Sequence, residues 1–266
     1  MEKLRLDVLL NKRGLVESRS LAQRLVMAGQ VRVNGEVELQ PSTKVFVDAD
    51  LAIDQGPRYV SRGGEKLAAA LEAFGLTGLT GEICADVGAS TGGFTDCLLQ
   101  HGAGHVFAVD VGYGELHWKL RNDPRVTVME RTNARNVKGF PTPVGLVTID
   151  ASFISLKILL PAAAAWFGEG AGQVVALIKP QFEAGRKDAA KGEGVIRDPA
   201  VHRQVLSEVL NNAQGLGFGV QGLIRSPLIG PKGNAEFLVY CVWRGESQAD
   251  LEEMIDRVVK IEDPRE

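Results

Sequence analysis

From residue 83 onward the chain repeats one pattern: a short continuous apolar run, then a stretch in which apolar residues recur every three or four positions. The runs at 83–87, 106–109, 126–129, 144–149, 174–178, 218–224 and 237–242 predict strands, and 92–100, 116–121, 156–167 and 199–216 predict helices. Continuous apolar strands alternating with helices argue an α/β fold, a parallel sheet covered on both faces. The last two strand runs have only residues 225–236 between them, with Pro227, Gly230, Pro231 and Gly233, so the sheet is expected to close on an antiparallel strand.

The first fifty residues follow a different pattern. Residues 4–13 read as a short helix with Leu6, Leu9 and Leu10 on one face, ended by Gly14. Ser18 is a natural N-cap for a second helix at 19–28, whose stripe is Leu21, Ala22, Leu25 and Val26 and whose stop is Gly29. Val31 to Val33 and Glu36-Val37 then flank Asn34-Gly35, a strong hairpin signal. Asp54 to Pro57 is polar and carries Gly56-Pro57, which sets the expected division: a small α+β domain at 1–55, a linker at 56–60 and the sheet domain at 61–266. The sheet domain opens on an amphipathic stretch at 66–74 with Lys66 in its first turn, a place that the helix dipole disfavours for a cation.

Composition narrows the class. At 266 residues, with 45% hydrophobic and 24% charged residues, the chain suits one α/β domain and a small companion. Its net charge of -3 excludes a global basic signature of nucleic-acid binding. The basic residues are concentrated instead in residues 1–34, where Lys3, Arg5, Lys12, Arg13, Arg19, Arg24 and Arg32 face only Glu2, Asp7 and Glu17. Cys84, Cys97 and Cys241 sit in apolar runs at no metal-ligand spacing, and His101, His105, His117 and His202 have none either, so no metal site is expected and the histidines read as surface or helix-end residues. The start, MEKLRLDVLLNKRG, lacks the apolar core of a secretory signal, and the longest apolar run, 158–167, is half of the roughly 20 residues that a spanning helix needs. The expectation is a cytoplasmic protein without stable membrane association.

The candidate chemistry starts at DVGASTGGF, Asp86, Val87, Gly88, Ala89, Ser90, Thr91, Gly92, Gly93 and Phe94. Strand, glycine-rich turn and helix in that order present backbone N–H groups to a ligand at the helix start. The glycines do not fit the dinucleotide fingerprint. They resemble instead the first motif of S-adenosylmethionine-dependent methyltransferases. Asp110, ending the second strand, is placed to accept hydrogen bonds from ribose hydroxyls, with Val111 beside it and Asn133, after the third strand, toward the adenine. Two further strands end on charged residues, Asp150 and Lys179, and Glu236 begins the antiparallel strand at the same edge of the sheet. Lys66 can join them.

Lys66, Asp150, Lys179 and Glu236 match in order and context the K-D-K-E tetrad of FtsJ-type RNA ribose 2'-O-methyltransferases. The motifs SRGGEKL, DVGASTGGFTD, DVGYGELHWKLRNDPRV, ERTNAR, DASFISL, LIKPQFE and GPKGNAEFL resemble the TlyA, or hemolysin-A-like, rRNA methyltransferases from end to end. The resemblance implies the Rossmann-like methyltransferase sheet, S-adenosyl-L-methionine as cofactor, and methyl transfer to a cytidine 2'-hydroxyl in ribosomal RNA. It adds Asp150 to the cofactor contacts. A ribose hydroxyl is a poor nucleophile, so the reaction needs an aligned oxygen and a proton acceptor. The roles expected are Lys179 nearest the hydroxyl, Asp150 and Glu236 positioning the amines, and Lys66 modulating. Tyr113 and Trp118 are candidates for the adenosine pocket or for helix packing, and Pro180, Gln181 and Phe182 for the floor beneath the target base.

Residues 4–53, two short helices and then VRVNG, resemble the RNA-binding domain named after the fourth small-subunit ribosomal protein. That likeness implies RNA contacts by Arg5, Arg13, Ser18, Arg19 and Arg24, with Arg62 joining from the second domain. The expected partner is rRNA or a ribosomal subunit, and the expected state is a monomer. Two other readings compete: an rRNA-binding assembly factor with a catalytically silent fold, and a membrane-active hemolysin. The filled tetrad opposes the first, and the missing apolar span and cationic amphipathic helix oppose the second.

Overall fold

The computed structural model describes residues 2–54, 56–185 and 194–260; the boundary residue Gln55 and the C-terminal residues 261–266 lie outside them. The chain divides into two compact units, Met1–Arg58 and Tyr59–Glu266.

In the first unit, strand β1 (Lys3–Arg5) precedes helix α1 (Leu6–Lys12), so the predicted helix begins two residues late. The cause is tertiary: β1 pairs antiparallel with β4 (Lys44–Phe46), Leu4 opposite Val45, and that ladder overrides the helical period. Helix α2 (Arg19–Met27) starts as expected, with the Ser18 hydroxyl accepting the Leu21 N–H at 3.2 Å. The hairpin of β2 (Val31–Val33) and β3 (Glu36–Val37) turns on Asn34 at φ 51° and Gly35 at φ 86°, the positive values that a tight primed turn requires. Strand β5 (Leu51–Ile53) pairs with the other edge of β2. Leu6, Leu9, Leu10, Ala22, Val26, Val31 and Val45 form this unit's core.

The second unit begins with α3 (Gly63–Ala73), β6 (Ile83–Val87), α4 (Gly93–Gln100), β7 (His105–Val109), α5 (Trp118–Arg121) and β8 (Val126–Met129). It continues with β9 (Leu146–Ile149), α6 (Leu156–Phe167), β10 (Gln173–Ile178), α7 (Pro180–Glu183), α8 (Pro199–Leu216), β11 (Phe218–Arg225), β12 (Phe237–Trp243) and α9 (Leu251–Val259). The described strands form a seven-stranded sheet in the order β11-β12-β10-β9-β6-β7-β8. All neighbours are parallel except β12, which runs antiparallel between β10 and β11 with Phe237 opposite Ile178. Apolar side chains fill both faces of the sheet in two separate clusters. Helix α9 has no counterpart in the sequence reading, although Met254, Ile255 and Val258 make one buried stripe along it.

Tyr59 and Val60 belong to this unit rather than to a linker. Tyr59 is buried with Leu67, Leu71 and Leu98, and the Val60 N–H donates to the Asp96 carboxylate at 2.9 Å. The Tyr59 ring lies against the start of α3, where a Cβ on Gly64 would stand 2.2 Å from Cγ of the ring. Only glycine permits that approach, and it fixes the helix that carries Lys66. Gly64→Ala is therefore expected to destabilise the protein by about 1–3 kcal/mol, measured by chemical denaturation; a change within experimental error would mean the ring moves freely aside.

Candidate active site

The loop after β6 is built by cross-ties between strand ends. The Gly88 N–H donates to the Val109 carbonyl at 2.9 Å and the Asp150 N–H to the Val87 carbonyl at 2.9 Å, which draws the ends of β6, β7 and β9 together. Gly88 has φ 82°, and a Cβ there would lie 2.7 Å from the Asp150 carbonyl oxygen, so backbone meets backbone without room for a side chain. On the far side, the Asp110 carboxylate accepts the Ser90 N–H at 2.8 Å and the Gly112 N–H at 2.7 Å, which holds the loop and the acid as one piece.

Two cavities open above these strand ends, of about 390 and 380 Å3, and both are bordered by Gly88, Ser90, Asp150 and Ser152. The first is lined by Arg62, Lys66, Ala89, Thr91, Gly93, Phe94 and Lys179. Asp110, Val111, Glu115, Asn133 and Phe153 line the second. Asn133 also caps a short turn, accepting the Arg135 N–H at 3.1 Å.

The four charged residues singled out from the sequence meet as two ion pairs. Lys179, directly after β10, places its Nζ 2.6 Å from Asp150 Oδ1 and donates to Ser152 Oγ at 3.0 Å. Lys66 Nζ lies 2.5 Å from Glu236 Oε2, and both residues are buried. Glu236 stands behind Lys66 rather than on the cavity wall, and Gly230 leaves it space, since a Cβ there would be 2.2 Å from Oε1.

Asp86 and Gly92 do not reach either cavity. Asp86 is fully buried beneath the loop, accepting hydrogen bonds from the Thr95 hydroxyl at 2.7 Å and the Thr148 hydroxyl at 3.0 Å. Its role is to tie α4 to β9. A Cβ on Gly92 would point at Leu116 and Leu120, so that residue serves packing. Ser152 and Glu115 escaped sequence reasoning: Ser152 is bonded to Lys179, and Glu115 accepts the Ser90 hydroxyl at 3.1 Å. The only signal for Ser152 was its position two residues after Asp150. Phe153, 90% exposed at φ 63°, packs its ring 4.9 Å from that of Phe182, while the Tyr113 ring lies under Arg131.

Among the histidines, His202 departs from expectation: it is buried, with Nε2 3.0 Å from the Ile196 carbonyl, and burial pulls its pKa down. Of the basic residues in the first unit, Arg13 spends its guanidinium on the backbone carbonyls of Val47 and Ala49, the latter at 2.7 Å. That use is structural, as is the capping role of Ser18. Arg24 is exposed, and Arg5 and Arg19 share the Asp7 carboxylate. Among the described residues no group of metal-ligating side chains is assembled, and no helix is long and apolar enough to cross a membrane.

A parallel sheet with one antiparallel strand set between β10 and β11, and a glycine loop at the carboxyl end of β6, is the architecture of the Rossmann-like, S-adenosylmethionine-dependent methyltransferases. The FtsJ-like methyltransferase family model matches residues 59–242, and an S4 domain model matches residues 4–49. The chain belongs to the FtsJ-like methyltransferase family, in its TlyA branch. It is 44% identical to the 16S/23S rRNA (cytidine-2'-O)-methyltransferase TlyA of Mycobacterium tuberculosis, across 97% of each chain. It is 41% identical to Hemolysin A of Brachyspira hyodysenteriae, across 90% of this chain and 100% of that one. A solved structure of a candidate hemolysin from Streptococcus thermophilus superposes with a TM-score of 0.71 at 45% identity, covering 97% of this chain and 96% of that one.

The tie beneath the loop titrates in an accessible range. Burial pushes Asp86 up to about 7, against the Thr95 and Thr148 hydrogen bonds that favour its ionised form. The folded chain then keeps a proton that the unfolded chain releases near the ordinary carboxylate pKa of about 4. The associated stability is full below that value and is lost as pH rises through about 7. Asp86→Asn, which mimics the neutral acid, is expected to gain stability relative to wild type between about pH 5 and about pH 8 in urea denaturation. A difference independent of pH would mean that Asp86 is ionised throughout.

Proposed function

We propose that the protein methylates a ribose 2'-hydroxyl of a cytidine in ribosomal RNA, with S-adenosyl-L-methionine as methyl donor. The residues present suit that cofactor: Asp110 offers lone pairs to ribose hydroxyls at the end of β7, Val111 and Asn133 border the same cavity, and the close Gly88–Asp150 backbone contact leaves no side chain at position 88 where that cavity meets the first one. When bound, S-adenosylmethionine supplies a methyl group on a sulfonium sulfur, which leaves with the bonding pair.

The observation that carries the proposal is the environment of Lys179, which lines the first cavity beside Asp150 and Ser152, two residues that border both. A neutral amine has two N–H groups and one lone pair. Lys179 Nζ donates to Ser152 Oγ and is ion-paired with Asp150 Oδ1 without being aligned on it as a hydrogen bond, so the lone pair of the deprotonated amine is available to a hydroxyl entering the first cavity. Lys179 accepts the hydroxyl proton as the oxygen forms its bond to the methyl carbon. Asp150 and Ser152 hold the amine in place. Lys66, neutralised by Glu236, adds a hydrogen-bond donor to the same wall without adding net charge. Arg62 at the cavity edge suits an RNA phosphate. The S4 unit supports rRNA as the partner, a substrate found in the cytoplasm, and we take the monomer as the working state.

Two variants test separate parts of this reading, with ribose methylation of rRNA followed by mass mapping and cofactor affinity by calorimetry. Lys179→Ala is expected to abolish methylation with cofactor affinity unchanged; activity within a few-fold of wild type would remove Lys179 as the base. Asp110→Ala is expected to weaken cofactor binding by about 1.5–3 kcal/mol, and unchanged affinity would take Asp110 out of the site.

A further inference from the structure

The N-terminal unit contains a buried carboxylate with more partners than charge balance requires. Asp7, fully buried in the first turn of α1, accepts from Arg5 Nε at 3.0 Å, Arg5 Nη2 at 3.0 Å, Arg19 Nε at 2.9 Å and Gln23 Nε2 at 2.8 Å. One guanidinium neutralises a buried carboxylate. Here two do, from β1 and from α2, so a surplus positive charge is fixed in place. These charge-assisted bonds hold the Asp7 carboxyl well below the usual carboxylate range, the Arg5 bond contributing most, so the anion persists at every working pH.

Each arginine spends only part of its guanidinium on this contact. Arg5 Nη1 and both terminal nitrogens of Arg19 have no hydrogen-bond partner among the described residues, and the two side chains are 42% and 52% exposed. Arg13 differs, because its terminal nitrogens are consumed by backbone carbonyls. An exposed arginine normally loses side-chain freedom when a ligand immobilises it. A pair already anchored through their inner edges avoids much of that loss, and the planar forks suit phosphate oxygens.

We infer that Asp7 is the positioning residue of a two-arginine phosphate site, in which Arg5 and Arg19 present their free N–H groups to the RNA backbone. This rests on the proposal that the N-terminal unit holds rRNA.

The test exploits a difference in sign. If only net charge mattered, Asp7→Asn would remove a negative charge and tighten RNA binding, and Arg19→Lys would change nothing. Positioning predicts the opposite: Asp7→Asn weakens affinity for purified rRNA at least about fivefold, and Arg19→Lys weakens it nearly as much as Arg19→Ala, because lysine lacks the fork that reaches Asp7 and a phosphate together. Binding is measured on the full chain over a range of salt concentrations, with cofactor affinity as a control for the second unit. Tight binding by Asp7→Asn, with Arg19→Ala weakened, overturns the inference and leaves the RNA-anchoring role of the unit standing. Should thermal melting show that Asp7→Asn unfolds the unit, Arg19→Lys decides: wild-type affinity overturns the inference. Wild-type affinity in Arg19→Ala removes the arginine from the RNA surface altogether.

Discussion

The contact between the backbones of Gly88 and Asp150 governs the site. Two parallel strands, β6 and β9, end side by side, and a Cβ on the first would stand 2.7 Å from a carbonyl of the second. Because nothing but hydrogen fits there, the glycine loop and the strand end that carries Asp150 behave as one surface. Both cavities border that surface, and Lys179 is ion-paired with Asp150 and hydrogen-bonded to Ser152. The buried Asp86 supports it from below through Thr95 and Thr148, which joins α4 to β9. Asp150, Lys179 and Glu236 are thus mounted on strand ends rather than on a free loop, which limits their motion relative to one another.

Much of this was legible in the chain because the sheet is buried on both faces. Such strands read as unbroken apolar runs, and β6, β8, α6 and α8 fall where the runs and helical periods end. The charged residues that close β9 and β10 stood out against that background. Legibility failed where an element is short or depends on a distant partner. Strand β1 has three residues, and only β4 makes it a strand. The turn residues Tyr59 and Val60 read as linker because nothing local reveals that Gly64 receives an aromatic ring.

The site residues divide along the same line. Lys66, Asp150, Lys179 and Glu236 could be chosen by type and place, but how they pair could not, since an ion pair across four elements leaves no periodic trace. Asp86 shows the converse. It carries the motif's leading acid, yet its alternation along β6 turns the side chain inward, where two threonines satisfy it. The arginines of the first unit look alike in sequence, whereas Arg13 is committed to backbone carbonyls and Arg19 to Asp7.

The antiparallel strand has an implication for how this family can vary. Phe237 pairs with Ile178, so one step further along the same ladder brings Glu236 level with Lys179. The distance between the two ion pairs is therefore written into hydrogen-bond register, a quantity that changes only in whole residues and inverts every side chain when it slips by one. Between Arg225 and Phe237 the connecting segment can vary only away from Leu228 and Ile229, which line the first cavity, from the buried Asn234, and from Gly230, which leaves the gap that Glu236 fills. A single insertion within β12 itself has no such latitude.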